Sequence, residues 1–433
     1  MTRSRFGLLL AVVLASAMWC YVDLILVPYQ IGDAARVGRP RGNLSDLYPR
    51  WLGARELLQH HRDPYSPEIT REIQVGYYGR TLDPARPNDP KDQQGFAYPV
   101  YVVFVLAPSV WFPFSAVQVA FRVLLFLLIV ASVLLWLVAV QWRISWTGKL
   151  IAIALVLGSF PAVQAIRLQQ LSAVASFLVA VCAACVVKRR LVSAGVALAL
   201  ATIKPQLALP FAGWLLLWTA GNWRSRQTLI WGFLGTLGIL VIGGELLLPG
   251  WISEFRAATA AYLQYTGGTS PLDLSLTPTW GRAVSAVVIL GITFACWRWH
   301  RAPADSAAFR WSLAMVLTGI LVVIPTFAPY NQLLLIGALL VLAQQAPRMK
   351  HGRLQRLALA MVLVVVLAPL ITATGLDLSL LFVQRVTVER VWMLPLWSSW
   401  AIPFPILAAV SLCAGQAVRQ EHLGAQGFPK MSS

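Results

Sequence analysis

Charge is scarce in this sequence. Of its 433 residues, 12% are Asp, Glu, Lys or Arg, against roughly 25% in a soluble globular domain. Acidic residues are the scarcer kind, 17 against 35 basic ones. That excludes an ordinary water-soluble enzyme, and 58% hydrophobic residues exclude a disordered chain, which needs the opposite balance. Cysteine is scarce too: Cys20, Cys182, Cys185, Cys296 and Cys413 all lie in apolar stretches, which excludes a disulfide scaffold. Cys182 and Cys185 form a CxxC with no second pair or neighbouring histidine to complete a zinc shell. His60-His61 lie near Glu56 and Glu68, but adjacent residues of a helix face different ways, so no metal site is expected.

What is present is long apolar runs, enough for a polytopic all-α membrane protein. Candidate spans are 6–27, 116–141, 148–166, 170–187, 191–220, 227–248, 280–297, 308–325, 329–346, 354–373 and 391–415. The run at 6–27 follows Arg3 and Arg5 and is read as a retained anchor, because no small-residue cleavage site follows it. The net charge of +18 comes from short basic clusters between spans: Lys188-Arg189-Arg190, Arg224 and Arg226, Arg298 with Arg301, and Arg348 to Arg356. Such clusters mark cytoplasmic loops and do not make a nucleic-acid face, so no nucleic-acid partner is expected.

Placing those clusters inside imposes two conditions. The stretch 96–115, broken by Pro99, Pro108 and Pro113, must be re-entrant or a half-helix. The run 191–220 must cross twice, as two arms meeting at Lys204-Pro205. Both termini are then cytoplasmic. Loop 28–95, the turn Arg167 to Gln170, the Lys204 break, loop 249–279, the turn Thr326 to Gln332 and loop 375–390 all gather on the outer face. The expected organisation is one membrane domain, 1–416, with a cytoplasmic tail, 417–433.

Loop 28–95 holds 19 of the 52 charged residues. Ser45 can cap a helix with Leu47, Trp51, Ala54 and Leu58 on one stripe, which predicts an interfacial helix with Trp51 at headgroup depth and Glu56 solvated. Asp63-Pro64 ends it as a turn, and Ser66-Pro67-Glu68 starts a second helix carrying Ile69 and Ile73. Asp46, at the edge of the first helix, admits two readings: a capping carboxylate, or a general base at the membrane surface. Asp33, Glu56, Asp63, Glu254 and Asp273 are further outer carboxylates.

A lysine within an apolar run costs about 2.5–3.5 kcal/mol to insert, so Lys204 either snorkels or binds an anion, and Arg167 and Arg385 on the same face share that choice. Asn331-Gln332 beside Pro329 can meet sugar hydroxyls or simply start a helix. Trp251, Tyr262, Tyr265 and Trp280 can stack on sugar rings, but read first as an interfacial aromatic belt.

The run Asn43-Leu44-Ser45-Asp46-Leu47-Tyr48-Pro49-Arg50-Trp51, with Arg62-Asp63-Pro64-Tyr65 and then Phe96-Ala97-Tyr98-Pro99-Val100, resembles glycosyltransferase family 87. The layout agrees further along, at Ile203-Lys204-Pro205-Gln206 and Pro329-Tyr330-Asn331-Gln332. The resemblance implies a GT-C fold of about 11–13 transmembrane helices, with a long extracytoplasmic first loop bearing interfacial helices. It implies transfer of a sugar, mannose in the known examples, from a polyprenyl-phosphate donor to a lipid or glycan acceptor, without metal or other cofactor. It makes Asp46 the base. A departing phosphate needs positive charge, for which Lys204 is the first candidate and Arg167 and Arg385 are second choices, and Tyr98, Gln170, Gln206, Tyr330 and Asn331 are candidate substrate contacts. Two positions depart from the family pattern: Tyr-Pro-Pro is Tyr98-Pro99-Val100 here, and Gly-Gln is Gln169-Gln170.

The implied setting is a bacterial inner membrane with the site facing the periplasm or cell exterior. The competing classes are a polytopic transporter or lipid-carrier flippase, which broken helices and a midplane lysine would suit, and a non-catalytic scaffold. The transporter lacks an internal inverted repeat, and the scaffold would have lost Asp46.

Overall fold

A computed structural model describes residues 3–42, 45–325, 328–345, 347 and 352–426. Asn43-Leu44, Thr326, Arg348 and the chain beyond Gln426 lie outside the described residues. Among the described residues the regular structure is helical throughout. Six stretches are long and apolar enough to cross a membrane: Ser4–Arg36, Phe114–Ala139, Trp223–Leu247, Pro278–Trp299, Arg353–Ser379 and Arg385–Val418. Trp146–Leu157 and Phe160–Arg167 are long and apolar enough only as a pair, and the two are bent by 62° to each other. The bend follows from sequence. Gly158 packs so closely on Ala15 that a Cβ would overlap it, and Ser159 caps a new helix that has Pro161 in its first turn.

The remaining apolar segments are shorter than the expected full-length spans. Leu171–Val187, Leu191–Ala201 and Ala307–Val323 are helices of 17, 11 and 17 residues. Leu171–Val187 and Ala307–Val323 are mostly buried inside the bundle, and Leu191–Ala201 is partly so. No full crossing forms within 96–115: the helix Val102–Leu106 and a 3₁₀ turn at Ala107–Ser109 occupy it, as three prolines require.

The chain reverses at Lys204. Leu191–Ala201 starts against the first turns of Trp223–Leu247, where Gly195 and Gly232 let the two backbones touch. It ends where Tyr101 bonds Thr202 and stacks edge-on with Trp251, close to Gly244 at the far end of Trp223–Leu247. Pro205–Ala220 then runs back to the start of that same helix. At 1.5 Å per residue the two arms are about 16 and 24 Å long.

This topology gives the bundle two unlike ends. At one, Arg226 donates to the carbonyls of Trp218, His300, Arg301 and Ala302, tying two basic turns together, and Gln344 reaches Gln141. At the other gather the first loop, the Lys204 break, Trp251–Thr266 and the 3₁₀ segment Pro329–Leu334.

Several first-loop expectations change. The first helical stretch continues to Arg36, past the expected loop start at 28. Tyr48–His60 is packed against protein: Trp51 is buried, bonds the Ser109 carbonyl and meets Phe114. Glu56 is buried in an ion pair with Arg62 and is not solvated. Ser45 does not cap this helix and instead bonds Gln169. Pro67–Tyr78 forms as expected, capped by Ser66 with Ile69 and Ile73 buried, and Asp63 accepts from Tyr65 N–H in its turn. The last helix, Pro403–Gln426, absorbs the first residues of the expected tail.

Candidate active site

A cavity of about 270 Å³ opens at the loop-bearing end of the bundle. Asp46, Tyr98, Gln170, Lys204, Gln206, Tyr330 and Asn331, separated by up to 285 positions in sequence, all line it. All but Gln206, in the first turn of Pro205–Ala220, come from an irregular piece of chain: a turn before a helix, the proline-broken stretch, a helix junction, the reversal, and a 3₁₀ segment. Irregular backbone at membrane depth is tolerated only where it lines such a cavity or is buried in protein.

Asp46 is held from both sides. Its N–H donates to the Leu168 carbonyl at 3.0 Å, and its carboxylate accepts from the Gln170 side-chain amide. The carboxylate therefore turns across to another helix and does not cap its own. Arg50, one turn on, bonds the Asp46 carbonyl at 2.9 Å and lies over the Tyr98 ring at 4.8 Å. Burial raises the Asp46 carboxyl above its ordinary range, and Arg50 pulls it part of the way back.

Lys204 is 5% exposed. Its ammonium donates to Ser172 Oγ at 2.5 Å, Ser172 donates to Asn331 Oδ1 at 2.8 Å, and the Tyr330 ring centroid is 5.0 Å away. Neither Lys204 nor the half-buried Arg50 forms an ion pair among the described residues. The two cations face Asp46 and Asp92 across the cavity without a direct ion pair, which leaves their donors open to an anionic group of a substrate.

The junction that carries Gln170 explains one departure from the family pattern. Gln169 has φ +48°, a left-handed conformation natural to glycine. Here a glutamine holds it, donating to the Ile166 and Arg167 carbonyls and accepting from Ser45 and Gln118.

Arg167 and Arg385 are not brought to this cavity. Arg167 pairs with Asp23, in the π-helical turn Val22–Leu26 of the first stretch. Arg385 bonds the Leu24 carbonyl, within that turn, and Glu389. Arg50, Asp92, Tyr262 and Tyr265 also line the cavity, although the sequence did not place them there. Trp251 is buried against Tyr101, and Tyr262 and Tyr265 face the cavity, so these three are not belt residues. The spacing Asp46 to Arg50, one helical turn, was the available signal for Arg50. Asp92 is a second cavity carboxylate, but both its oxygens already accept from Gln94, at 2.9 and 2.8 Å.

Fold and site define a polytopic membrane protein whose cavity, at one end of a helical bundle, presents carboxylates among cations, tyrosines and amides. A sequence model of glycosyltransferase family 87 matches residues 96–325, more than half of the chain. The chain belongs to that family and is a membrane glycosyltransferase. The matched region includes Tyr98, Gln170, Lys204 and Gln206, while Asp46, Arg50 and Asp92 precede it. Neither a curated protein nor a solved structure matches the chain.

Proposed function

We propose that the chain transfers a hexose, mannose by family precedent, from a polyprenyl-phosphate donor to a lipid or glycan acceptor, inverting the anomeric centre. The observation that carries this reading is the pairing in one cavity of a cross-braced carboxylate, Asp46, with two cations that have no ion-pair partner among the described residues, Arg50 and Lys204.

The acceptor hydroxyl attacks the anomeric carbon and gives its proton to Asp46 as the new C–O bond forms. The bond from the anomeric carbon to the phosphate oxygen breaks on the opposite face, and its electron pair stays on the departing polyprenyl phosphate, which gains one negative charge. Arg50 and Lys204 stabilise that gain, so no acid is required. A single base with a displaced leaving group is the geometry of inversion. Gln170 fixes the carboxylate, and Tyr98, Tyr330, Asn331 and Gln206 supply polar contacts to the sugar. Asp92, whose oxygens accept from Gln94, is the other carboxylate of the cavity and the alternative base.

The site lies at the end of the bundle opposite the basic turns, and the positive-inside bias then favours an extracytoplasmic site in a bacterial inner membrane. Membership of a glycosyltransferase family leaves the transporter reading without support.

The test is sugar transfer by purified, lipid-reconstituted protein given radiolabelled polyprenyl-phosphate sugars and membrane lipid extract, with Asp46→Asn and Asp92→Asn alongside. Transfer from one donor that is lost in Asp46→Asn and kept in Asp92→Asn supports the reading. Loss only in Asp92→Asn moves the base to Asp92.

A further inference from the structure

One serine, outside the motifs read from the sequence, ties the active-site cavity together. Ser172 stands in the first turn of Leu171–Val187 and is fully buried. Other buried hydroxyls of the bundle keep their proton within their own helix: Ser132, Ser312 and Thr318 each donate to a carbonyl three or four residues back. Ser172 donates instead across the bundle, to Asn331 Oδ1 of the 3₁₀ segment, and accepts from the Lys204 ammonium. Three elements remote in sequence therefore meet on one hydroxyl.

The direction of these two bonds follows from counting protons. A serine hydroxyl has one proton and two lone pairs, and an ammonium can only donate. The contact with Lys204 consequently uses a lone pair and leaves the single proton for Asn331. Only the amide oxygen can receive it, so Oδ1 faces Ser172 and the Nδ2 N–H pair is the arm left for the cavity that Asn331 lines. Lys204 gives one N–H to Ser172 and keeps two. Its ammonium is further confined between the rings of Tyr98 and Tyr330, with centroids at 5.9 and 5.0 Å. Rings attract a cation without directing its protons, so Ser172 sets that direction. The result is a stretch of wall on which two neighbouring side chains present N–H donors and no acceptor.

A wall of donors alone discriminates by ligand chemistry: it suits oxygens that carry no proton, above all oxygens whose negative charge grows. We infer that Ser172 is a positioning residue for the transfer, orienting the Lys204 ammonium and the Asn331 amide together toward the oxygens of the departing phosphate. An amide with two N–H groups serves the phosphate and the adjoining sugar at once, so this extends the sugar contact proposed for Asn331. Without the hydroxyl the ammonium turns freely, and the amide can rotate to present Oδ1, which repels an anion. The inference rests on the transferase reading for its role in the reaction, whereas the anion binding it implies is read without turnover.

The experiment uses the full chain in lipid nanodiscs: wild type, Ser172→Ala, Lys204→Met, Asn331→Leu, and the two double variants that combine Ser172→Ala with the others. Ser172→Ala removes one oxygen and keeps the helix, and thermal unfolding checks that it folds as wild type does. With a polyprenyl-phosphate sugar as donor, Ser172→Ala should lower kcat about 10- to 100-fold and leave the donor KM within about threefold, because the loss falls where phosphate charge develops. Each double variant should lose far less than the product of its single losses, since the serine acts through the same two groups. The separate arm is a phosphorus NMR titration with farnesyl phosphate, which has the charge of the departing group and no sugar. Ser172→Ala should weaken its binding about tenfold. A kcat within about twofold of wild type in Ser172→Ala, or losses that multiply in both double variants, overturns the positioning role. If wild type transfers from no polyprenyl-phosphate sugar, the transferase reading fails and the titration decides alone: weakened farnesyl phosphate binding in Ser172→Ala keeps the oriented anion site, and equal binding, or none by wild type, overturns it.

Discussion

At the residue scale the mechanism depends on a carboxylate that must be ionised while largely withdrawn from water. Asp46→Asn keeps a side-chain oxygen for Gln170 but cannot take a proton. Transfer should fall by about 10²–10⁴, with donor affinity unchanged, as initial rates and donor-binding titrations would read. Burial places the Asp46 carboxyl above its ordinary range, so activity should fall with decreasing pH at a higher pH than an exposed carboxylate would give. The stability effect has the opposite sign. A carboxyl whose pKa is raised by folding holds its proton more tightly in the native state, so stability falls as pH rises from the unfolded pKa to the folded one. The Asn variant escapes that penalty. Its melting temperature should therefore not drop at neutral pH, which separates lost chemistry from lost folding.

Lys204 is the complementary case. Lys204→Met keeps much of the volume, removes the charge and breaks the chain of bonds to Ser172 and Asn331. If the ammonium stabilises the leaving phosphate, kcat should fall by about 10²–10³, and more than KM rises. A variant that changed KM alone would assign Lys204 to ground-state binding.

At the element scale the junction between Phe160–Arg167 and Leu171–Val187 carries the base's support. Gln169 holds a left-handed backbone and ties Ser45 to that junction, so it positions Asp46 without touching substrate. Gln169→Ala loses the side-chain bonds and keeps the strain, which costs about 1–2 kcal/mol for a residue with a Cβ. Gln169→Gly loses the bonds but removes the strain. Thermal unfolding should therefore rank wild type and Gly above Ala, and both variants should lower kcat with little change in KM. Equal activity in all three would show that Ser45 holds the loop without Gln169.

The same elements show what was legible in the sequence. Lys204-Pro205 announced a chain reversal because proline cannot continue the ladder, and Ser66-Pro67 announced a helix start because a cap and an N1 proline are local signals. Trp51 and Glu56 were misplaced for one reason: an apolar stripe fixes which face of a helix is covered, not whether lipid or protein covers it. Tyr262 and Tyr265 were read as a belt because tyrosines at a membrane surface and tyrosines in a cavity look alike until the 82–97 strap is placed over them. Arg167 and Arg385 reach the expected end of the molecule but find partners in the π-turn at Asp23 and Leu24, and nothing in the sequence signalled that turn.

At the scale of the whole molecule, the bundle carries a further cavity that fits the remaining part of the proposed donor. It is apolar, about 970 Å³, and lies between Trp146–Leu157, Leu335–Gln345 and Arg353–Ser379. It runs from Ala343, near the basic end, to Gln332 and Leu333. Those two residues adjoin Tyr330 and Asn331, which line the active-site cavity, so a single 3₁₀ segment separates the apolar space from the polar one. Gln332 braces that segment by donating to the Ser399 carbonyl at 2.8 Å. A polyprenyl phosphate has the same division, with a charged head and a long apolar chain, and burying each methylene contributes about 0.8 kcal/mol. Ala343 is exposed at the cavity wall, and Ala343→Trp fills the space without entering the polar site. The KM for a full-length polyprenyl-phosphate sugar should rise about tenfold in this variant, and that for a citronellyl-phosphate sugar should not move, because the short chain cannot extend to Ala343. If both KM values stay at the wild-type level, the donor's chain lies elsewhere and this cavity is filled by bilayer lipid alone.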